Sequence, residues 1–207
     1  MSRPLLSLLH MPFPKALYMV LDFHLQEGAA ILDPTCGNKH SWEDVFKKRK
    51  ESSFFPAKQI KITHHDIKQQ EDFSQLAYKK EFDACFFDPP YIWGVDSSKD
   101  KRAVDYGEYN YTFKDIQGLF ISANKALPKY LKPDAKLFLK YCDVFSLKER
   151  KFYLTQPLWV NIMSNFKPID HYIIQHHSIS GTAFQVKNRG CSVGNYTYLT
   201  VFQLKGE

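Results

Sequence analysis

The chain reads as an α/β fold, with a mostly parallel sheet covered by helices on both faces and two antiparallel strands at its C-terminal end. Three observations predict this. Apolar strands alternate with amphipathic helices as far as residue 142, the order that parallel strands joined by crossovers require. Three acidic residues, Asp33, Asp66 and Asp88, stand at strand ends. Two more strands close the chain with no helix between them, which predicts a hairpin at the sheet edge.

Each element follows from its residues. "PKALYMVLDFHLQEG" (14–28) has apolar residues at helical spacing, opens with Pro and closes on Gly28, so it is a helix. "AAILDP" (29–34) is a short strand stopped by Asp-Pro. "SWEDVFKKRKESS" (41–53) follows as an amphipathic helix with Ser41 as its N-cap. "QIKITHHDI" (59–67) alternates and is β-branched, a second strand ending at Asp66. "FDACFFD" (82–88) is apolar throughout, as a strand covered on both faces must be. "FKDIQGLFISANKALPKYL" (113–131) is a helix that Pro128 kinks or ends. The turn "KPDA" leads into a strand at 136–142. Residues 147–166 contain a further helix, and 170–177 and 196–204 are strands. No repeat, low-complexity tract or flexible linker divides residues 1–207, so one domain is expected. Two long connections, 92–111 and 178–195, are polar, and loops of that length usually have a task; both are expected to face the substrate.

Composition narrows the function. At 207 residues with 44% hydrophobic and 24% charged residues, the chain can bury a sizeable core and is not of the disordered class. The formal net charge is +6 and aromatic residues make up 15% of the chain, a combination suited to a polyanion such as nucleic acid. Cys36, Cys85, Cys142 and Cys191 are widely spaced without a C-x-x-C pair, which speaks against a disulfide framework or a zinc site and for a reducing, cytoplasmic setting. The pairs His64-His65 and His176-His177 place neighbours on opposite faces of a strand, so neither pair readily shares a metal ion. No metal is expected. The N-terminal "PLLSLLHMPFP" is too short and proline-broken for a leader, and no stretch is long enough to span a membrane.

The order of motifs resembles a known family, the class I S-adenosylmethionine-dependent amino-methyltransferases that act on adenine or cytosine. "AAILDPTCG" (29–37) is similar to their first motif, "FFDPPY" (86–91) to their catalytic motif and "HMPFPKAL" (10–17) to the segment before the fold. "HDIKQQEDFSQL" (65–76), "LKPDAKLFLKYCD" (131–143) and "GNYTYLTVF" (194–202) extend the resemblance over nearly the whole chain. It implies a Rossmann-like sheet of seven strands with a C-terminal antiparallel hairpin, and S-adenosylmethionine as the cofactor.

The residues can be given roles beside that resemblance. The turn Pro34, Thr35, Cys36 and Gly37 would hold the methionine part of the cofactor, with Asp33 pairing with its ammonium directly or through water. Asp66 suits two ribose hydroxyls. Asp72 would accept from the adenine amine, with Ile67 and Phe73 packing on that ring. Lys15 either reaches the cofactor carboxylate or is a surface lysine. Lys39 stands where the family usually keeps a second glycine, a departure from its turn.

Asp88, Pro89, Pro90 and Tyr91 form the catalytic set. A base amine is a poor nucleophile because its lone pair is delocalised into the ring. Asp88 and the carbonyl of Pro89 would each accept one N–H and favour a pyramidal nitrogen, Pro90 would set the direction of that carbonyl, and Tyr91 would stack on the base. Trp93, with Tyr106, Tyr109 and Tyr111, either meets a flipped base or packs its own loop. Lys99, Lys101, Arg102, Lys187 and Arg189 are phosphate-contact candidates. An Asp rather than a Ser at position 88 favours adenine N6, and DNA is the favoured substrate. RNA, and a catalytically silent nucleic-acid-binding or partner subunit, are the alternatives, and a homodimer or partner subunit is compatible with either.

Overall fold

The computed structural model describes residues 7–36, 40–50, 59–64, 75–89, 112–146, 151–175 and 196–206. Nine strands and four α-helices fall within them: β1 (Leu8–His10), α1 (Phe13–His24), β2 (Ala30–Asp33), α2 (His40–Lys50), β3 (Lys61–His64), β4 (Phe82–Phe87), α3 (Phe113–Ala126), β5 (Leu131–Tyr141), β6 (Val144–Ser146), β7 (Lys151–Tyr153), α4 (Gln156–Ile162), β8 (Phe166–Gln175) and β9 (Tyr196–Leu204). Seven strands make one sheet in the order β1-β8-β9-β5-β4-β2-β3, and β6 and β7 form a separate two-stranded ribbon. In the main sheet only β9 runs against its neighbours β5 and β8; the pairs β1·β8, β2·β3, β2·β4 and β4·β5 are parallel. The Rossmann-like, mostly parallel α/β sheet is therefore present.

Alternation along the inner strands sends side chains into two cores, one on each face. On the first face Cys85, Phe87, Leu137, Leu139 and Phe202 pack with Ile116, Phe120 and Ala123 of α3 and Trp159 of α4. On the second, Ile31, Ala84, Phe86, Phe138 and Val201 pack with Leu17, Val20 and Leu21 of α1 and Trp42 and Val45 of α2. The unbroken apolar run in β4 thus divides residue by residue between the two layers. At the end of α1, His24 Nε2 lies 3.0 Å from the Tyr172 hydroxyl, which itself donates to Asp170 at 2.6 Å, fastening the helix to β8.

Several boundaries differ from the sequence reading for local reasons. The last two strands do pair antiparallel, but not at the sheet edge: β9 lies between β5 and β8, and β1 covers the outer side of β8. Only three residues long, β1 carries too little periodicity to read as a strand. The "KPDA" turn lies inside β5. Phe82 pairs with Leu131 and Ala84 with Lys136, so residues 132–135 loop out opposite Asp83, with Asp134 at φ +61°. Asp83 spans the irregularity, accepting from the Ala30 amide at 2.9 Å and from Lys132 Nζ at 2.6 Å. Helix α1 stops at His24, short of Gly28, and α2 begins at His40, which places Ser41 inside its first turn rather than at the cap. Pro128 acts as expected, since α3 ends at Ala126 and a 3-10 turn, Leu127–Lys129, follows.

Candidate active site at the carboxyl ends of β2 and β4

Parallel strands deliver their last residues to a common edge, and β2 and β4 are neighbours there. Asp33 ends β2 and Asp88 follows the last residue of β4, so two acids fifty-five positions apart meet across one strand spacing. Thr35 joins them. Its hydroxyl donates to Asp33 Oδ1 at 3.2 Å and accepts from the Asp88 backbone amide at 2.9 Å.

The two acids have different surroundings. Asp33 is 1% exposed. Its Oδ1 also accepts from the Thr35 amide at 2.9 Å, and its Oδ2 accepts from the Trp42 indole N–H at 2.6 Å. Burial pushes the Asp33 carboxyl up to about 7, against those hydrogen bonds, which favour the charged form; the nearby charge of Asp88 adds to the rise. Asp33 therefore orders the turn after β2 and ties it to α2. Asp88 is more open, its side chain 25% exposed, and Lys140 Nζ of β5 lies 2.5 Å from its Oδ2. The same ammonium sits 4.7 Å from the centroid of the Phe13 ring at the start of α1. Phe13 lies 6.5 Å from Phe86, and Phe86 meets Trp42 edge-on at 5.2 Å, an aromatic floor beneath the polar groups.

Among the other residues singled out from sequence, Pro34, Cys36 and Pro89 are buried, and Lys15 is exposed on the first turn of α1. Gly37, Asp66, Ile67, Asp72, Phe73, Pro90, Tyr91, Trp93, Lys99, Lys101, Arg102, Lys187 and Arg189 lie outside the described residues, as do Lys39, Tyr106, Tyr109 and Tyr111. Among the described residues no three His, Cys, Asp or Glu side chains are placed to hold a metal, and no helix is long and apolar enough to cross a membrane. A cavity of about 310 Å³ opens at the other, amino-terminal end of the strands, lined by His24, Glu27, Asp83, Asp134 and Lys136, away from Asp33 and Asp88.

The sequence reading missed Lys140, Trp42 and Phe13. Lys140 carried a signal, a lone charge in the apolar run "LFLKYC". Trp42 carried none, because a tryptophan on an amphipathic helix is ordinarily core. A third unforeseen set lies past the end of β5, where Asp143 accepts from the Thr155 amide and the Tyr198 hydroxyl, both at 2.8 Å, and so positions the start of α4.

No protein-family model matches the chain, and no curated protein does. Solved structures do. A SAM-dependent methyltransferase from Methanosarcina mazei is 13% identical, with a TM-score of 0.48 over 92% of this chain and 99% of that one. The 1,6-didemethyltoxoflavin-N1-methyltransferase of Burkholderia thailandensis, solved with S-adenosylhomocysteine, is 11% identical, with a TM-score of 0.49 over 93% and 78%. N-methyltransferase NodS from Bradyrhizobium japonicum is 9% identical, with a TM-score of 0.45 over 93% and 94%. At such identities no residue and no substrate carries over to this chain.

Proposed function

We propose that this chain transfers a methyl group from S-adenosylmethionine to the exocyclic amine of a nucleic-acid base, adenine N6 in DNA being the favoured target. The observation that carries the reading is the convergence of the Asp33–Thr35 turn and Asp88–Pro89 on one edge of a parallel sheet, in a chain whose motif order is that of base-amine methylases.

Asp33 and Asp88 share the edge, but Asp33 holds its proton up to about pH 7 and Asp88 is paired with Lys140, so what the described residues offer the cofactor is a preformed polar turn rather than a negative field. The buried Asp33 would act on the ammonium chiefly by shaping the turn Pro34–Cys36, and Lys15 would be available to the carboxylate. Asp66, Asp72, Ile67 and Phe73 complete the reading for the ribose and the adenine. When bound, the cofactor supplies an electrophilic methyl whose departure leaves a neutral thioether.

Asp88 accepts one N–H of the target amine and the Pro89 carbonyl the other, which draws the lone pair out of conjugation. The amine nitrogen so oriented would be the group that takes the methyl which the bound cofactor would supply. The nitrogen then releases one proton, and Asp88 is the acceptor at hand. Tyr91 stacks on the base, and the cations of 92–111 and 178–195 take the phosphates.

The test is methyl transfer from labelled cofactor to single- and double-stranded DNA and to RNA, with the methylated nucleoside identified by mass spectrometry. N6-methyladenosine formed only in RNA would move the substrate to RNA. Asp88→Ala is expected to lower turnover about 100-fold or more while S-adenosylhomocysteine still binds. Failure of the wild-type protein to bind S-adenosylhomocysteine in calorimetry would point to a silent subunit.

A further inference from the structure

We infer that Lys140 is a positioning residue that sets the orientation of the Asp88 carboxylate for the incoming amine, an inference that rests on the base-amine reading above. Lys140 interrupts an otherwise apolar stripe. Leu137, Phe138, Leu139 and Tyr141 on either side of it are fully buried, and Lys140 pairs with Leu199 of β9. Its ammonium is fixed from two directions, by Asp88 Oδ2 at 2.5 Å and by the Phe13 ring at 4.7 Å.

Stability is a weak reason for this pair. Its side chains are 18% and 25% exposed, so both ions are partly stripped of water, and such pairs are often neutral or worse than an apolar residue of like size. A methionine here would continue the stripe beside Phe138. What the lysine does supply is direction. The Asp88 amide is already fixed by Thr35 Oγ1 at 2.9 Å. With Oδ2 committed to Lys140, the side chain is held at its backbone and at one carboxylate oxygen, which restricts its rotation. Oδ1 makes no hydrogen bond among the described residues, so it is the oxygen presented to a substrate N–H. The ammonium cannot itself accept a proton from the amine, so its effect passes through Asp88.

Lys140→Met and Lys140→Arg test this beside the wild type. Lys140→Met is expected to lower kcat for methyl transfer by about 100-fold, as a small misplacement of a reacting group can. KM for nucleic acid and S-adenosylhomocysteine affinity should stay near wild type, Tm should fall because Asp88 is left without its partner, and Lys140→Arg should recover part of kcat. In the protein alone, the Lys140 ammonium should give a hydrogen–nitrogen NMR signal protected from exchange, and Asp88→Ala should abolish it. A kcat near wild type in Lys140→Met, a loss matched by an equal loss in cofactor affinity, or an ammonium signal indifferent to Asp88→Ala would each overturn the inference. A wild-type protein that methylates no base amine would instead sink the functional reading, and the positioning role with it. If Lys140→Met does not fold, Lys140→Gln takes its place with the same expected outcomes.

Discussion

Asp33 shows how one buried acid can order a turn at the edge of a sheet. Its carboxyl stands at about 7 because burial disfavours the charge, while the Trp42 indole and the Thr35 amide supply part of what water would have given. That lies well above the ordinary carboxyl value of 3.8. The folded protein therefore holds a proton that the unfolded chain releases, and the stability from this group is fully present below about pH 4 and lost as pH rises through about 7. Trp42→Phe keeps most of the ring and its contact with Phe86 but removes the donor to Oδ2. It is expected to cost about 2–3 kcal/mol above pH 7, where the carboxylate is ionised, and less at pH 5. Melting curves of wild type and variant at the two pH values check this; a penalty that does not grow with pH would contradict the role given to the indole.

At the scale of elements, β4 and α4 show which parts of the fold could be read beforehand. The six apolar-rich residues of β4 announced a strand with two covered faces, and both cores confirm it. The helix expected within 147–166 is present as α4, but at seven residues it is too short for its period to fix its bounds, and it is held by tertiary contacts. Trp159 stacks on Phe120 of α3 with ring centroids 4.1 Å apart and planes 10° from parallel, and its indole nitrogen is buried with no hydrogen-bond partner among the described residues. Trp159→Ala should therefore cost about 3–5 kcal/mol, a large share of a domain's stability. Trp159→Phe should cost under about 1.5 kcal/mol, because no hydrogen bond is lost. Chemical denaturation of both variants separates packing from polarity; equal losses would mean that the indole nitrogen matters after all. The ribbon of β6 and β7 escaped the sequence reading because each of its strands is three residues long, whereas the turn "KPDA" was legible and stands as the excursion at 132–135 within β5.

Across the whole molecule, the basic balance of +6 belongs to the substrate question. If Lys99, Lys101 and Arg102 contact phosphates, replacing all three by Ala should weaken nucleic-acid binding and reduce the slope of log affinity against log salt by about two to three, while leaving S-adenosylhomocysteine binding unchanged. Filter binding over a salt series reads this; an unchanged slope would take the 92–111 loop off the path of the nucleic acid. The sequence by itself determined the alternation of strands and helices and the placing of Asp33 and Asp88 at strand ends, because periodicity and turn chemistry act within a few residues. Only the tertiary structure decided that β9 enters the sheet between β5 and β8, that Thr35 bridges Asp33 to Asp88, and that Lys140 reaches Asp88 from fifty-two positions away. Those facts depend on which strands lie side by side, and adjacency is set by packing the whole sheet between its two helical layers, a choice no short window of residues contains.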